Sequence, residues 1–499
     1  MKLSAKVLSA LMALAMSVLC VFQLVSCGNG TEQPGDTTPA VTLPSNDPAE
    51  STDPPVTEPV FKEANYGGAD FTVFMRSATA SSYPGLYILT EEPSEIMSSA
   101  VFTRNDLTEE RYGIKINGRQ DDNPYSFIET SIKGGAVDFD WILDRRLNLA
   151  PLANKGLLYN LNDLDIDFTN PWWDKNSAEQ YEIAGKLFIV ANDISIGNLA
   201  GVRFFFFNKN LVETYHLEDP YQLMKNNNWV LDEFLKMVQG VNDPGPDGTL
   251  GTYGLLRETG ASNGNHMHLL TGCGIYQTQR DAEGGFVLGV SENLDKVQTI
   301  TDKLRAVFEA PGNTLTYSET NKLSTVSGTY KNDYDRGRAS FAEGHFLFVQ
   351  NGMNIANQFA EMADDYGVLP NPKYNSDQEN YAHKMDKYSL IWGMPNAPDA
   401  VDTERVATVT DFWAYQSMVH VMPAYYDITI KTKRVNEVTA SENLDIIKAT
   451  IVYEPIELFG IQIAEMINTC YTAGTFGGWN NQSKMLTKNI GTLVDSFRD

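Results

Sequence analysis

The stretch DFDWILDRRLNLAPLANKGLLYNL, residues 138–161, passes from an apolar segment through a cluster of charges into a longer mixed segment. Residues 140–143 predict a buried strand that ends at Asp144-Arg145-Arg146. The hydrophobic patterns upstream predict two more strands and two helices, at 71–75 (strand), 94–112 (helix), 114–116 (strand) and 125–133 (helix). This βαβαβ order predicts an α/β fold.

Charged side chains follow two of these strands directly. Arg76 comes after the first strand, and Asp144-Arg145-Arg146 comes after the third. Ligands of open α/β sheets bind beyond the carboxyl ends of the strands. Charged planar groups at this edge suit bidentate recognition of hydroxyl pairs or of a carboxylate, and the alternative is an ion pair within the chain. Arg76, Asp144 and Arg145 are therefore candidate ligand-binding residues.

The N-terminal residues 1–26 have the pattern of an export signal. Lys2 and Lys6 precede an apolar run without charges, residues 7–25. The segment Leu24-Val25-Ser26-Cys27 resembles the bacterial lipobox, in which the signal is cleaved just before a cysteine that receives lipid. The resemblance predicts that Cys27 is lipidated and holds the protein on the outer face of the cell membrane. A plain membrane anchor formed by the apolar run is the alternative.

The next segment, residues 27–60, is rich in Thr, Pro, Ser and acidic residues, and no basic residue occurs between Lys6 and Lys62. Low hydrophobicity combined with negative charge favours disorder. The segment therefore predicts a solvated linker between the anchor and a folded part.

Residues 61–499 are more than one hydrophobic core usually organises, so two lobes are expected. The formal net charge of the chain is −26, which opposes binding to nucleic acid because lysines and arginines supply most of that affinity. No nucleic-acid partner is expected. The protein is expected to be a monomer.

The stretch 138–161 resembles a segment of bacterial extracellular solute-binding proteins in which a strand, a ligand loop and a helix follow one another. Further matching segments occur in the same order: NPWWD (170–174), GKLFIVANDIS (185–195), RFFFFNKNLVE (203–213), NNWVLDEFLKMV (227–238), GRASFAEGHFLFV (337–349), DYGVLPNPKYNSDQENY (365–381) and MPAYYDITIKTK (422–433). The resemblance covers nearly all of residues 61–499. It implies the receptor of an ABC importer, most often for sugars or oligosaccharides, with two α/β lobes that close on the ligand.

Together these observations predict a two-lobed, periplasmic-binding-protein-like fold with discontinuous lobes joined by hinge crossings. Lobe 1 is predicted to comprise residues 61–193 and 350–394, and lobe 2 to comprise residues 194–349 and 395–499. Crossings are expected near 193–197, 349–352 and 392–395. The partners implied by the resemblance are a carbohydrate ligand and the membrane subunits of an ABC importer.

Three further residues are candidates for ligand contact. Trp172 and Trp173 could stack on a sugar ring, or pack inside the protein with one of them at a rim. Asp193 could hydrogen-bond a ligand from the hinge, or cap a turn. Trp229 is expected to pack at a helix N-terminus instead.

No metal or other cofactor is predicted. His266 and His268 have no third ligand at recognisable spacing. The loop 243–254 has the outline of a calcium loop, with Asp243 and Asp247, but Gly245 and Gly254 occupy ligand positions.

Two cysteines remain beyond the anchor region, Cys273 and Cys470, and they are expected to be either a disulfide or two buried thiols. No nucleophile elbow or HExxH motif is present, so no enzyme activity is predicted. Two carboxylates brought together in space would suffice for a glycosidase. A surface hydrolase acting on glycans, or an adhesin or scaffold without a transport role, are the alternative functions.

Overall fold

The computed structural model describes residues 59–81, 88–90, 95–246, 248–282, 284–323, 329–359, 362–431 and 438–498. The predicted signal peptide, Cys27 and nearly all of the predicted linker lie outside these residues. Residues 60–499 form one compact unit, to which every structural statement below refers. Within the described ranges, no helix has both the length and the apolar character that a membrane span requires.

The strands of the first half are β1 (Ala69–Arg76), β2 (Ile114–Asp121), β3 (Trp141–Arg145), β4 (Ile189–Val190), β5 (Phe204–Asn208), β6 (Asn242–Asp243) and β7 (Thr252–Arg257). Those of the second half are β8 (Thr278–Arg280), β9 (Phe286–Leu288), β10 (Thr314–Thr316), β11 (Phe346–Asn351), β12 (Tyr366–Leu369), β13 (His383–Lys384), β14 (Leu390–Gly393) and β15 (Ile451–Val452).

The helices up to residue 272 are α1 (Ile96–Tyr112), α2 (Pro124–Lys133), α3 (Arg146–Asn154), α4 (Lys175–Tyr181), α5 (Gly197–Gly201), α6 (Lys209–Thr214), α7 (Pro220–Lys225), α8 (Leu231–Gly240) and α9 (Asn265–Gly272). The later ones are α10 (Leu294–Phe308), α11 (Tyr317–Thr320), α12 (Asp333–Ala342), α13 (Thr403–Gln416), α14 (Met422–Lys431), α15 (Val438–Ala449), α16 (Ile463–Ala473), α17 (Trp479–Gln482) and α18 (Lys484–Arg498).

The first sheet has the strand order β2-β1-β3-β14-β4. Strand β1 is parallel to β2 and β3, whereas β14 is antiparallel to β3 and β4. The predicted βαβαβ unit is therefore confirmed. Asp144 and Arg145 form the last two residues of β3 rather than a loop after it. Residues 141–144 are all buried, which is typical of a strand covered on both faces of its sheet.

The second sheet has the order β10-β7-β11-β5-β12, with β6 paired to β7. Strand β5 is antiparallel to both of its neighbours. Its side chains pack on opposite faces, since Phe205 contacts Phe234 and Phe206 contacts Phe359. The apolar run in β5 is thus explained by helices and turns on both sides of the sheet.

The chain changes sheet in three regions of the described unit. It leaves β4 and enters β5 through residues 191–203, close to the crossing predicted at 193–197. It returns from β12 to β14 through residues 370–389. Helix α14 then packs against α1, whereas α15 packs against β12, so a further change of sheet follows α14.

The predicted lobe boundary at residue 350 differs from the sheets. Strand β12, assigned to lobe 1, pairs with β5 of the second sheet, so the second crossing is 370–389 rather than 349–352. Trp392, expected at a hinge, lies in β14 inside the first sheet. Helix α13, assigned to lobe 2, packs against α1. These differences share one cause. Hydrophobic periodicity identifies a buried strand or helix but does not identify the elements that it packs against.

The C-terminal region contacts the second crossing and the segment before β4. Strand β15 pairs with β13 in the second crossing. Phe497 of α18 contacts Phe188, just before β4, and Phe459.

Candidate functional site

In both sheets the ends of several strands lie at one segment of the second crossing, and we call this row of strand ends the edge of the sheet. β1 and β3 end at Arg76 and Arg145, where β14 begins. In the second sheet, β7 and β11 end where β5 begins. Residues on both edges contact Asp386 or Tyr388, as described below. We call the region bounded by the two edges and the 386–388 segment the cleft.

A buried ion pair forms the first-sheet side of the cleft. Arg76 Nε lies 2.6 Å from Asp144 Oδ1, and both side chains are almost fully buried. Asp144 also accepts hydrogen bonds from Asn148 Nδ2 (2.9 Å) and from the backbone N–H of Arg145 (2.7 Å). Arg76 donates a further hydrogen bond to the carbonyl of Asp122. The sequence left a ligand contact and an internal ion pair open for these residues, and the structure contains the ion pair.

Arg145 is held differently. Its Nη2 donates to the carbonyl of Ala80 at 2.9 Å, and its guanidinium lies 5.8 Å from the ring centroid of Tyr388. The side chain is half-buried, and no carboxylate in the described part of the chain forms an ion pair with it. Its charge is therefore available in the cleft.

A network of charges forms the second-sheet side. Arg203, directly before β5, lies 2.9 Å from Asp386 and 3.3 Å from Glu258, which directly follows β7. Asn263 Nδ2 donates to Asp386 at 3.2 Å. Burial raises the pKa of Glu258, and the charge of Arg203 opposes that rise. The network joins the edge of the second sheet to the crossing.

Tyr334 is the most exposed large aromatic of this region, at 45%. Its ring lies 5.0 Å from that of buried Tyr317, and its hydroxyl is 3.5 Å from Glu258. An exposed aromatic ring beside polar groups can pack on the apolar face of a sugar. The cleft thus combines charged groups with aromatic surface from Tyr334 and Tyr388.

The other predicted residues lie at the first crossing. Trp172 Nε1 and Trp173 Nε1 donate to the same oxygen, Asp411 Oδ1, at 2.6 and 2.8 Å. Both indoles are buried. Trp172 packs against Phe61 and Tyr415 in the core, and its carbonyl accepts from the backbone N–H of Asp193 at 3.1 Å.

Trp173 has one face on a cavity of about 390 Å³ that also borders Lys448. Asp193 is bound to Lys448 of α15 at 2.8 and 3.0 Å. Burial raises the pKa of Asp193, while Lys448 lowers it. The predicted residues therefore form two groups: Arg76, Asp144 and Arg145 border the cleft, and Trp172, Trp173 and Asp193 hold the first crossing.

Sequence reasoning missed Arg203, Glu258, Asn263, Tyr334, Asp386 and Tyr388. A signal was present for two of them, because Arg203 and Glu258 adjoin apolar strands just as Arg76 does. The others lie in helix α12, a loop and the crossing, where spacing gives no signal.

The predictions on metals and thiols have the following outcomes. In the described ranges, no group of three or more His, Cys, Asp or Glu side chains could hold a metal ion. Asp247 of the 243–254 loop lies outside those ranges. Cys273 and Cys470 are both free and buried, so the thiol alternative holds. Trp229 is fully buried and donates to the carbonyl of Pro370, as a packing role requires.

Comparison with known proteins was made at the levels of sequence and structure. No protein-family model matches the sequence, and no curated protein is similar to it in sequence. Solved structures do match. A cyclic α-maltosyl-1,6-maltose binding protein from Arthrobacter globiformis is 13% identical, with a TM-score of 0.53 over 87% of this chain and 98% of that one.

Two further structures are similar to the same extent. A cyclo/maltodextrin-binding protein complexed with maltotetraose is 13% identical, with a TM-score of 0.52 over 86% and 97% of the two chains. An ABC substrate-binding protein from Listeria monocytogenes, in complex with cycloalternan, is 13% identical, with a TM-score of 0.50 over 85% and 99%. The chain has the fold of ABC-importer solute-binding proteins. The two-lobed α/β prediction is confirmed at this level, and the similar structures are binding proteins rather than enzymes.

Proposed function

We propose that the chain is an extracellular receptor that binds a carbohydrate in the cleft and delivers it to the membrane subunits of an ABC importer. The observation that carries the proposal is the convergence of the strand ends of two sheets on residues 386–388, with charged groups and Tyr334 beside that segment. The fold adds support, because the crossings between the sheets allow the two halves to close on a ligand.

A saccharide is the ligand class that this chemistry favours. Hydroxyl groups need donors and acceptors, and the apolar face of a sugar ring packs on aromatic side chains. The proteins from Arthrobacter globiformis and Listeria monocytogenes and the cyclo/maltodextrin-binding protein are named for, or complexed with, saccharides. We extend that class, and none of those ligands individually, to this chain.

The ligand contacts in this proposal come from Arg145, Tyr388, Tyr334 and Asn263. Each of these residues has a polar or aromatic group at the cleft, and the ion pairs of the charge network do not use all of that group's binding capacity. The Arg76–Asp144 pair then positions Arg145 through its backbone.

Trp172, Trp173 and Asp193 serve the crossing in this proposal. The two indoles are tied to Asp411 and the carboxylate to Lys448, so these groups position the halves of the protein rather than contact the sugar.

A hydrolase is the competing function, because Glu258 and Asp386 are two buried carboxyl groups at the cleft. Both are bound to the same guanidinium of Arg203, which engages the two carboxylates in ion pairs within the protein instead of directing them at a glycosidic bond. We therefore propose binding without catalysis.

The proposal is tested with a panel of mono-, di- and oligosaccharides, including maltotetraose. Ligand binding to the folded state raises the melting temperature, and calorimetry gives the affinity. The saccharide is recovered and analysed by chromatography. A saturable shift with intact sugar supports the receptor, cleaved sugar indicates the hydrolase, and no response across the panel favours an adhesin or scaffold.

The lipid anchor belongs to the same proposal. Cys27 is expected to carry a thioether-linked lipid that keeps the receptor at the outer face of the membrane. Metabolic labelling with a fatty-acid probe should label the wild type and not Cys27→Ser, because serine cannot form the thioether. Equal labelling of the two proteins would contradict the anchor.

A further inference from the structure

A small polar cavity lies at the end of β7, under the loop that leads to α9. Its volume is about 170 Å³, and its lining includes Arg257, His266, Asn468, Tyr471 and Thr472. Glu258 and Asn263, which belong to the same loop, contact Arg203 and Asp386 in the cleft. The cavity therefore adjoins the cleft, and Glu258 borders both of them.

His266 lines this cavity and has an unpaired ring nitrogen. The residue is only 5% exposed, and its Nε2 is buried without a hydrogen-bond partner in the described part of the molecule. The ring stacks on Tyr471 with the centroids 4.2 Å apart and the planes inclined by 12°. The stack fixes the orientation of the imidazole, and a buried polar atom left unpaired is costly.

Arg257 contributes a second unused donor. Its Nε is also buried without an acceptor, and no ion pair joins its guanidinium to a carboxylate among residues 59–498 as far as the structure describes them. The guanidinium lies 5.7 Å from the ring centroid of Phe308. Burial and the positive charge of Arg257 together lower the pKa of His266 to about 3. The two side chains therefore interact electrostatically.

The carboxylates at this cavity are already engaged. Glu258 is bound to Arg203, and Glu309 to Arg305 at 3.1 Å. The groups left without partners are therefore a guanidinium and an imidazole, which can both donate. A planar guanidinium with a neighbouring N–H donor suits a carboxylate or a tetrahedral oxyanion.

We propose that this cavity is an anion-binding site, in which Arg257 and His266 donate to the oxygens of a carboxylate, sulfate or phosphate group. The anion has two conceivable sources, a free inorganic ion or the carboxylate of an acidic saccharide. The site does not depend on the sugar proposal, because Arg257 and His266 are not among the ligand contacts assigned above. Glu258 lines this cavity and also belongs to the charge network of the cleft, so the two sites are neighbours.

The test uses the full-length protein and four probes at matched ionic strength: sodium sulfate, sodium phosphate, sodium glucuronate and glucose, with sodium chloride as the reference. Sulfate and phosphate also stabilise proteins by exclusion from the surface, without saturation. The measured quantity is therefore the saturable part of the rise in melting temperature, with calorimetry for affinity.

The variants are Arg257→Gln, His266→Gln and Arg257→Lys. The matched control is Arg119→Gln, which removes an exposed arginine paired with Asp138 on the first sheet. We expect saturable binding in the wild type and in the control, and affinity weaker by about tenfold or more in Arg257→Gln and His266→Gln. The anion affinity of Arg257→Lys should lie between those of the wild type and Arg257→Gln, because lysine keeps the positive charge but lacks the planar guanidinium that binds two oxygens at once.

The anions distinguish the two sources. Binding of glucuronate alone indicates an acidic saccharide, and binding of sulfate or phosphate as well indicates a free anion. The proposal is overturned if the wild type shows no saturable response, or if all variants respond like the wild type. Should a variant fail to fold, the imidazole ¹⁵N signals of His266 in the wild type decide: Nε2 must shift on addition of a binding anion.

Discussion

Arg203 Nη2 lies 2.9 Å from Asp386 Oδ2, so the residue directly before β5 of the second sheet is bound to the segment that leads into β14 of the first sheet. Both side chains are buried or nearly so. The contact is therefore part of the connection between the halves as well as part of the cleft.

We expect Asp386→Asn to lower the free energy of unfolding by about 1–3 kcal/mol, because a buried charge on Arg203 loses one of its two carboxylates. Urea unfolding followed by circular dichroism measures the change. The control is Asp495→Asn, whose partner Arg498 is exposed, and which should cost about 1 kcal/mol or less. Equal costs for the two variants would contradict the importance of the buried network.

Tyr334→Ala should weaken saccharide binding by about tenfold or more, because removing the exposed ring removes about 1–3 kcal/mol of burial against the sugar. Tyr334→Phe should bind like the wild type, since the hydroxyl contact with Glu258 is long at 3.5 Å. Calorimetry with the best saccharide of the panel provides the affinities. Phe102→Ala removes an exposed ring on α1 and serves as the control, and a loss as large as that of Tyr334→Ala would place the sugar elsewhere.

We expect substitution of Trp172 to lower the stability of the protein more than its affinity for a saccharide. Trp172→Ala should cost about 3–5 kcal/mol, because it opens a cavity beside Phe61 and Tyr415. Trp172→Phe should cost about 1–3 kcal/mol, because partly buried Asp411 keeps only the donor of Trp173. Thermal melts and calorimetry on the same samples separate the two effects, and a stable Trp172→Ala that binds poorly would return this residue to the ligand site.

His383 makes stability dependent on acid. Burial lowers its pKa from 6.5 to about 3, and its Nε2 accepts from the backbone N–H of Asn371 at 3.0 Å. The unfolded chain therefore binds a proton between pH 6.5 and 3 that the folded chain does not bind, and stability must fall as pH falls through this window. The contribution is at most about 1.4 kcal/mol per pH unit.

The measurement is the free energy of unfolding at pH 7, 6, 5 and 4 for the wild type and His383→Asn. The variant should be less stable at pH 7 and show a shallower decline. His216→Asn is the control, because His216 is exposed and its φ of 53° is one that Asn tolerates. An unchanged slope in His383→Asn would show that other groups carry the acid response.

Local patterns predicted the strands and their ends. The apolar runs of β1, β2 and β3, with the helices between them, predicted the α/β class, and the charges at the ends of β1 and β3 marked one side of the cleft. The pairing of those charges did not follow from the sequence. Arg203 and Asp386 are 183 residues apart, and Trp172 is 239 residues from Asp411.

Those separations explain why the second side of the cleft and the role of the tryptophans were missed. A tryptophan beside a proline has the same local pattern whether it contacts a sugar or a carboxylate of the same protein. Likewise, nothing local distinguishes β12 as a strand of the second sheet from a strand of the first. Only the fold decides which distant side chains become neighbours.

The strand order has a consequence for the time course of synthesis. All the strands of the second sheet lie between residues 204 and 369, whereas the first sheet takes β14 from residues 390–393 between β3 and β4. As the chain emerges from its N-terminus onward, the second sheet therefore has its complete set of strands while the first sheet still lacks β14. The N-terminal half begins first and can finish only last.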